Sequence, residues 1–160
     1  IVWNFIQTLE KTKLKLNLSN CILLHGGGWK KLADKKITND KFINKIKKNT
    51  SIKKIINYYG MIEQTGSIFF ECEHRYFHTS IYSDILIRDK MLNIQKFGKE
   101  GIIQLLSIVP SSYPGNIILT EDMGTIFGED DCICGRKGKY FRVSGRIPNA
   151  ELRGCSNVNL

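Results

Sequence analysis

A mixed α/β fold is predicted by three features of the sequence. Two helix-period stretches alternate with short apolar runs in the first third, glycine-rich loops close those runs, and the remainder is a series of brief strand-like segments separated by turns. Fourteen glycines against three prolines suit a chain with many tight turns and close backbone approaches. A hydrophobic share of 42% with 10% aromatics supplies a core and excludes wholesale disorder.

Residues 3–15 read as the first helix, with Trp3, Ile6, Leu9 and Leu14 on one face and Lys11, Lys13 and Lys15 on the other. Cys21-Ile22-Leu23-Leu24 reads as a buried strand running into His25-Gly26-Gly27-Gly28-Trp29. Asn39 is expected to cap a helix from Asp40 to Lys48, with Phe42, Ile43 and Ile46 inward. A second strand spans 52–59 and stops at Gly60. Strand, glycine loop, helix and strand is the order of an α/β unit with parallel strands, whose ligand loops lie beyond the strand C-terminal ends. Gly26–Gly28 and Gly60–Gly66 both fall there. Further strands are expected at 67–71, 84–87, 102–109, 117–120, 125–128 and 139–143, in a partly antiparallel or mixed sheet. Beyond Arg146, Pro148-Asn149 and Gly154 interrupt any regular pattern, so residues 147–160 read as a hinge or tail on a body formed by 1–146.

The net charge of +9 is unevenly placed. Ten lysines lie between 30 and 54 against Asp34 and Asp40, while acidic residues gather at Glu121, Asp122, Glu129, Asp130 and Asp131. The lysines lack clustered arginines, interleaved aromatics and a recognised reading motif, so they read as a solvated face rather than a nucleic-acid surface. No run reaches the roughly 18 apolar residues of a membrane helix and no signal peptide is present, which makes the cytoplasm the default. Five cysteines at uneven spacing do not form a secreted disulfide framework. The chain opens on Ile1 inside an apolar pattern, so sequence upstream is expected to be missing.

Four segments carry candidate chemistry. Gly26, Gly27 and Gly28 leave room for a planar ring or a phosphate against the backbone, with Trp29 as a wall; a tight structural turn is the plainer reading. In Tyr58-Tyr59-Gly60-Met61-Ile62-Glu63-Gln64, Glu63 sits just past a strand end, where a carboxylate can hold Mg²⁺ beside a nucleotide phosphate, and Tyr59 could flank a base. In Leu119-Thr120-Glu121-Asp122-Met123-Gly124, a carboxylate at a strand end could take both ribose hydroxyls; Asp122 is preferred because Gly124 allows a turn, and Glu121 competes. Arg146, in Arg142-Val143-Ser144-Gly145-Arg146, offers a guanidinium fork to a phosphate or ribose. Separately, Cys132 and Cys134 could join Cys72 and an imidazole, His78 or His74, in a closed tetrahedral Zn²⁺ site, with His78 taken as the fourth ligand. The alternative is reduced cysteines packed as small hydrophobes.

In their order, the His-Gly-Gly-Gly-Trp loop, the Tyr-Gly-Met-x-Glu-Gln and Thr-Glu-Asp-Met-Gly boxes and the Gly-Arg-Ile-x-x-Ala-Glu-x-Arg-Gly-Cys tail resemble the acyl-protein synthetase (LuxE-like) family of the adenylate-forming superfamily over positions 21–156. The resemblance implies part of the large domain of such an enzyme, its N-terminal half lying upstream, with mixed sheets and flanking helices. It implies ATP-dependent conversion of a fatty acid or other carboxylic acid to an acyl-adenylate. Gly26–Gly28 would pack on the adenine, Tyr59 and Gly60 would border the nucleotide, Glu63 would hold Mg²⁺, and Asp122 would bind the ribose. Arg146 would mark the junction to a mobile C-terminal portion. Transfer to an enzyme cysteine as a thioester would follow, with Cys155 the candidate acceptor, and the acyl group would pass to a fatty-acid reductase, as in bioluminescence. The chain departs from the pattern at Ile62, where the family usually carries a threonine hydroxyl. A phenylacetate–CoA ligase-like enzyme, with coenzyme A as acceptor, and a non-catalytic zinc-stabilised remnant are the competing readings.

Overall fold

The structure, a computed structural model, describes residues 1–26 and 37–148. The chain divides into two units, residues 1–57 and 58–160.

The first unit is organised by two helices. In α1 (Val2–Thr12), Trp3, Ile6 and Leu9 recur every three residues and are buried, and in α2 (Asn39–Thr50) Phe42, Ile43 and Ile46, at i, i+1 and i+4, share one buried face. These six and Ile52 form one core. The cap of α2 is Thr38 rather than Asn39: Thr38 holds the extended backbone a cap needs (φ −71, ψ 152), and its hydroxyl accepts the Lys41 N–H at 3.3 Å. Lys45, within the lysine-rich stretch, is not simply solvated, since its ammonium lies 2.6 Å from Glu10 and 5.4 Å from the centre of the Trp3 ring. Strand β1 (Ile22–Gly26) is not buried on both faces as its apolar run predicts. Leu23 and His25 turn inward, but Ile22 and Leu24, on the alternate face, are 57% and 52% exposed. The chain leaves this unit along β2 (Lys54–Tyr59).

In the second unit, Tyr58 and Tyr59 of β2 pair antiparallel with Phe70 and Phe69 of β3 (Phe69–Phe70). The remaining strands are β4 (Phe77–His78), β5 (Ser83–Arg88), β6 (Glu100–Ser107), β7 (Ile117–Glu129) and β8 (Lys139–Arg146). They form a fully antiparallel sheet in the order β4-β8-β7-β6-β5. Period-two alternation puts Ile85, Ile87, Ile103 and Leu105 on one face, where they pack with Phe69, Phe77, Ile126 and Phe141. The two strands expected at 117–120 and 125–128 are one continuous strand. Gly124 does not turn the chain; it lets β7 pass close to β8, where an added Cβ would come within 2.6 Å of the Arg142 carbonyl oxygen.

Phe141, fully buried and in ring contact with Phe69 and Phe77 at 5.4 and 5.6 Å, should dominate this core. Phe141→Ala is expected to lower unfolding free energy by about 3–5 kcal/mol in urea titration. Ile133→Ala, at a site 79% exposed, should change it by no more than about 0.5 kcal/mol.

Candidate functional site

The nucleotide end predicted from the sequence is built on an irregularity in β7. Ile102 of β6 faces Met123 and Gln104 faces Leu119, so two steps along β6 are matched by four along β7. Thr120, Glu121 and Asp122 fill the resulting bulge. The Thr120 hydroxyl fixes it, donating to the Ile103 carbonyl at 2.8 Å and accepting the Asp122 N–H at 3.0 Å. Bulges re-aim side chains next to functional sites, and here the aimed group is the Asp122 carboxylate. Asp122 therefore lies inside a strand, not at the strand end expected for it.

Both Asp122 oxygens are engaged. Oδ2 accepts the Tyr59 hydroxyl at 2.8 Å, and Oδ1 lies 3.5 Å from Nε of Arg146, the residue opposite Asp122 in β8. The same guanidinium reaches Glu121 at 3.2 Å; Glu121 is exposed while Asp122 is half-buried. The Tyr59 ring packs on Phe69, Phe77 and Phe141 with centroids 6.0–6.1 Å away. Burial, with the Asp122 charge added, pushes its phenol far above the ordinary value, so Tyr59 stays a donor. The arrangement presents a carboxylate held by one neutral and one cationic donor, which a pair of vicinal hydroxyls could replace.

Glu63 is exposed in a short 3₁₀-helix (Ile62–Gln64) just after β2. That helix is anchored by buried Gln64, whose amide donates to the Gly115 carbonyl at 2.9 Å. Gly60 ends β2 against the chain, its place for a Cβ lying 3.1 Å from the Ser67 carbonyl. Gly26 closes β1 in the first unit. Gly27, Gly28 and Cys155 lie outside the described residues.

At the other end of β7 and β8, Cys72, His78, Cys132 and Cys134 converge, their ligand atoms all within 4.8 Å of one another. Cys72 begins the turn from β3 to β4, closed by its N–H to the Tyr76 carbonyl at 2.8 Å and by Arg75 N–H to the Cys72 carbonyl at 3.0 Å. Cys132 and Cys134 occupy the β7–β8 connection, where Gly135 at φ +79 donates to the Cys132 carbonyl at 2.9 Å. This turn overcomes the tight one-residue spacing of the two cysteines. His78 stacks on Tyr140 and puts Nε2 3.4 Å from Cys134 Sγ, while its Nδ1 is buried with no hydrogen-bond partner. His74 is exposed and outside the group.

The donor set suits a tetrahedral thiophilic ion. Zinc bonds of about 2.3 Å to sulfur and 2.0–2.1 Å to nitrogen place sulfurs about 3.8 Å from each other and about 3.6 Å from the imidazole nitrogen. Burial, helped by the Arg136 charge, keeps His78 below its ordinary value and hence neutral at pH 7, as a ligand must be. Burial raises Cys132 to about 11, whereas for Cys134 the upward push of burial is outweighed by hydrogen bonds from the Arg136 N–H and the neighbouring thiols.

Sequence reasoning located Tyr59, Asp122 and Arg146 but missed that they bond to one another, and it missed Thr120 and Gln64 altogether. The spacing Thr120-x-Asp122, a hydroxyl two residues before an N–H, was a readable signal.

A family model described as acyl-protein synthetase, LuxE, matches residues 4–159. No curated protein matches the sequence. Among solved structures, the chain is similar to a long-chain-fatty-acid-CoA ligase (FadD1) from Archaeoglobus fulgidus, with TM-score 0.63 and 12% identity over 92% of this chain and 32% of that one. It is similar to McyG A-PCP complexed with phenylalanyl-adenylate, with TM-score 0.59 and 18% identity over 91% and 28%. It is also similar to the anthranilate CoA ligase AuaEII in complex with anthranoyl-AMP, with TM-score 0.50 and 14% identity over 91% and 32%. Identities this low show the fold alone, and the chain spans about a third or less of each of these proteins. No helix among the described residues is long and apolar enough to cross a membrane.

The buried Tyr59 phenol sets a pH response. Its proton is retained in the folded state where an unfolded tyrosine, with an ordinary value of 10.0, releases it. The stability this contributes is complete below pH 10 and lost as pH rises above it. Urea unfolding between pH 10 and 11.5 should therefore show a steeper loss of stability in the native chain than in Tyr59→Phe, by up to about 1.4 kcal/mol per pH unit for one proton. Parallel slopes would contradict the buried hydrogen bond.

Proposed function

Because the chain belongs to the acyl-protein synthetase, LuxE, family, we infer that it works in the ATP-dependent activation of a carboxylic acid, with a fatty acid as substrate. The observation that carries this reading is the bulge of β7 that holds the Asp122 carboxylate between Tyr59 and Arg146. Ribose hydroxyls would bond to Asp122, displacing the Tyr59 hydroxyl or Arg146, and the Tyr59 and Gly60 backbone would border the nucleotide. Glu63 is the carboxylate that would hold Mg²⁺, which offsets charge on the phosphoryl oxygens. The substrate carboxylate attacks the α-phosphorus of ATP, a P–O bond breaks, and pyrophosphate leaves. A thiolate then attacks the acyl carbon and AMP departs with the C–O bond electrons, leaving a thioester.

Two acceptors fit this chemistry. With Cys155 the product is an acyl-protein, ready for a fatty-acid reductase. With coenzyme A the chain is part of an acyl- or aryl-CoA ligase, a reading favoured by the fold likeness to two CoA ligases. The four-donor cluster favours a structural Zn²⁺ held by Cys72, His78, Cys132 and Cys134 in either case, and it supports a third reading, a zinc-stabilised binding module without turnover.

Intact-protein mass spectrometry after incubation with ATP, Mg²⁺ and mixed fatty acids separates these. A hydroxylamine-sensitive adduct present in the native chain and absent in Cys155→Ser establishes the acyl-protein route. An adduct-free chain that converts coenzyme A to acyl-CoA establishes the ligase route, and neither product leaves binding alone. Asp122→Ala is expected to weaken AMP binding by about 10- to 100-fold, the worth of one or two charged hydrogen bonds of about 1.5–3 kcal/mol. Elemental analysis should find one zinc per chain, lost in Cys132→Ser.

A further inference from the structure

We propose that the metal cluster is a staple whose occupancy sets the position of Tyr59 against Asp122, so that metal and nucleotide bind cooperatively at opposite ends of the same strands. This rests on the zinc and nucleotide readings above and extends them to a coupling between the two sites.

The four donors come from two hairpins. Cys72 and His78 belong to the β3–β4 hairpin, and Cys132 and Cys134 to the connection of β7 with β8. The neighbour of that hairpin meets β7 again at the nucleotide end. Tyr59 is the residue of β2 that pairs with Phe69 of β3, and Asp122 lies on β7. The metal cluster ties the hairpin to the β7–β8 connection, and the Tyr59–Asp122 hydrogen bond ties the strand paired to that hairpin to β7.

Besides the ring contacts of Phe69, Tyr76 and Phe77 with Phe127, Tyr140 and Phe141 and the Arg142 guanidinium over Tyr76, the polar ties between those elements are brief. Strand β4 pairs with β8 through two residues only, Phe77 with Phe141 and His78 with Tyr140. The side-chain bonds between them are long: Arg142 to the Arg75 and His74 carbonyls at 3.3 and 3.4 Å, and Arg136 to the Phe70 carbonyl at 3.5 Å. Four metal–ligand bonds would exceed these. The mechanical link is aromatic. Three rings bear on Tyr59, and two of them, Phe69 and Phe77, belong to the hairpin that carries Cys72 and His78. A packed core transmits such a displacement because its rings have no free volume to absorb it. With the staple open, the β3–β4 hairpin can shift, and Phe69 and Phe77 move with it. Tyr59 then loses its fixed distance to Asp122, and the carboxylate loses its aim. Linkage requires the converse, that a nucleotide on Asp122 tightens the metal by the same factor.

The test uses the full chain labelled with 3-fluorotyrosine, the Tyr59 ¹⁹F line being assigned by Tyr59→Phe. In the zinc-loaded chain a single Tyr59 line is expected. Stripping zinc with a chelator should shift or split that line while the line of exposed Tyr82 stays in place, and AMP affinity should fall at least tenfold. A Tyr59 line identical in zinc-loaded and stripped chains overturns the coupling even though zinc binds. A chain that retains no zinc overturns both the coupling and the zinc reading. AMP binding to neither form, with a Tyr59 line that responds to zinc, overturns the nucleotide reading and leaves the staple standing. Should stripping unfold the chain, the decision passes to the folded, zinc-loaded protein. Zinc release to a chromogenic chelator should be at least threefold faster from Tyr59→Phe than from Tyr82→Phe, and equal rates overturn the proposal.

Discussion

The antiparallel pairing of β7 with β8 is the interaction on which the second unit depends. It places Asp122 opposite Arg146 at one end and, through the turn that joins the strands, delivers Cys132 and Cys134 at the other. Glycine makes the pairing close: Gly124 and Gly128 sit where a Cβ would press on the Arg142 carbonyl and on the Tyr140 ring and Asp131 carboxylate. The price of that closeness is irregularity. The register slips between Met123 and Gly124 and again between Ile126 and Gly128, and on the β6 side around Thr120. Each slip increases local twist and redirects side chains, and it is at such a slip that the candidate ribose carboxylate appears.

The two ends solve different electrostatic problems. At the Asp122 end, a half-buried carboxylate is held by a guanidinium and by a phenol that burial keeps protonated. Those donors hold the carboxylate in position. At the cysteine end, a neutral imidazole and three thiols are gathered with one buried ring nitrogen lacking a partner. Four donors of metal-ligating type lie within 4.8 Å of one another, which is why the second cluster reads as a candidate metal site and not as packed thiols.

Family membership and fold agree on an adenylate-forming architecture, and the chain covers no more than about a third of the enzymes it superposes on. Asp122, Tyr59 and Arg146 form their network within residues 59–146, and Glu63 stands exposed on its own short helix.

The amino-acid sequence by itself determined the helices, most of the strands and the identity of the candidate residues. Trp3-Ile6-Leu9 and Phe42-Ile43-Ile46 fix helical faces because burial follows the 3.6-residue period, and Ile85-Ile87 and Ile103-Leu105 fix strand faces because it follows a period of two. The ordered boxes around Glu63, Asp122 and Arg146 pointed to the family, and cysteine spacing pointed to a metal. What the sequence left open was decided by long-range geometry. The sequence favours His78 as the fourth ligand while leaving His74 beside it, and the structure puts His78 in β4, paired to Tyr140, within the cluster and His74 outside it. Asp122 is preferred to Glu121 in the sequence on the expectation of a turn at Gly124, but the bulge against β6 sets Asp122 within a strand, and joining Tyr59 to Asp122 required the aromatic layer that brings residues 63 positions apart within a hydrogen bond. The pattern within a strand fixes which residues share a face and so narrows the register, but which distant strand those residues meet is set by the packing of both strands and is not written in either one alone.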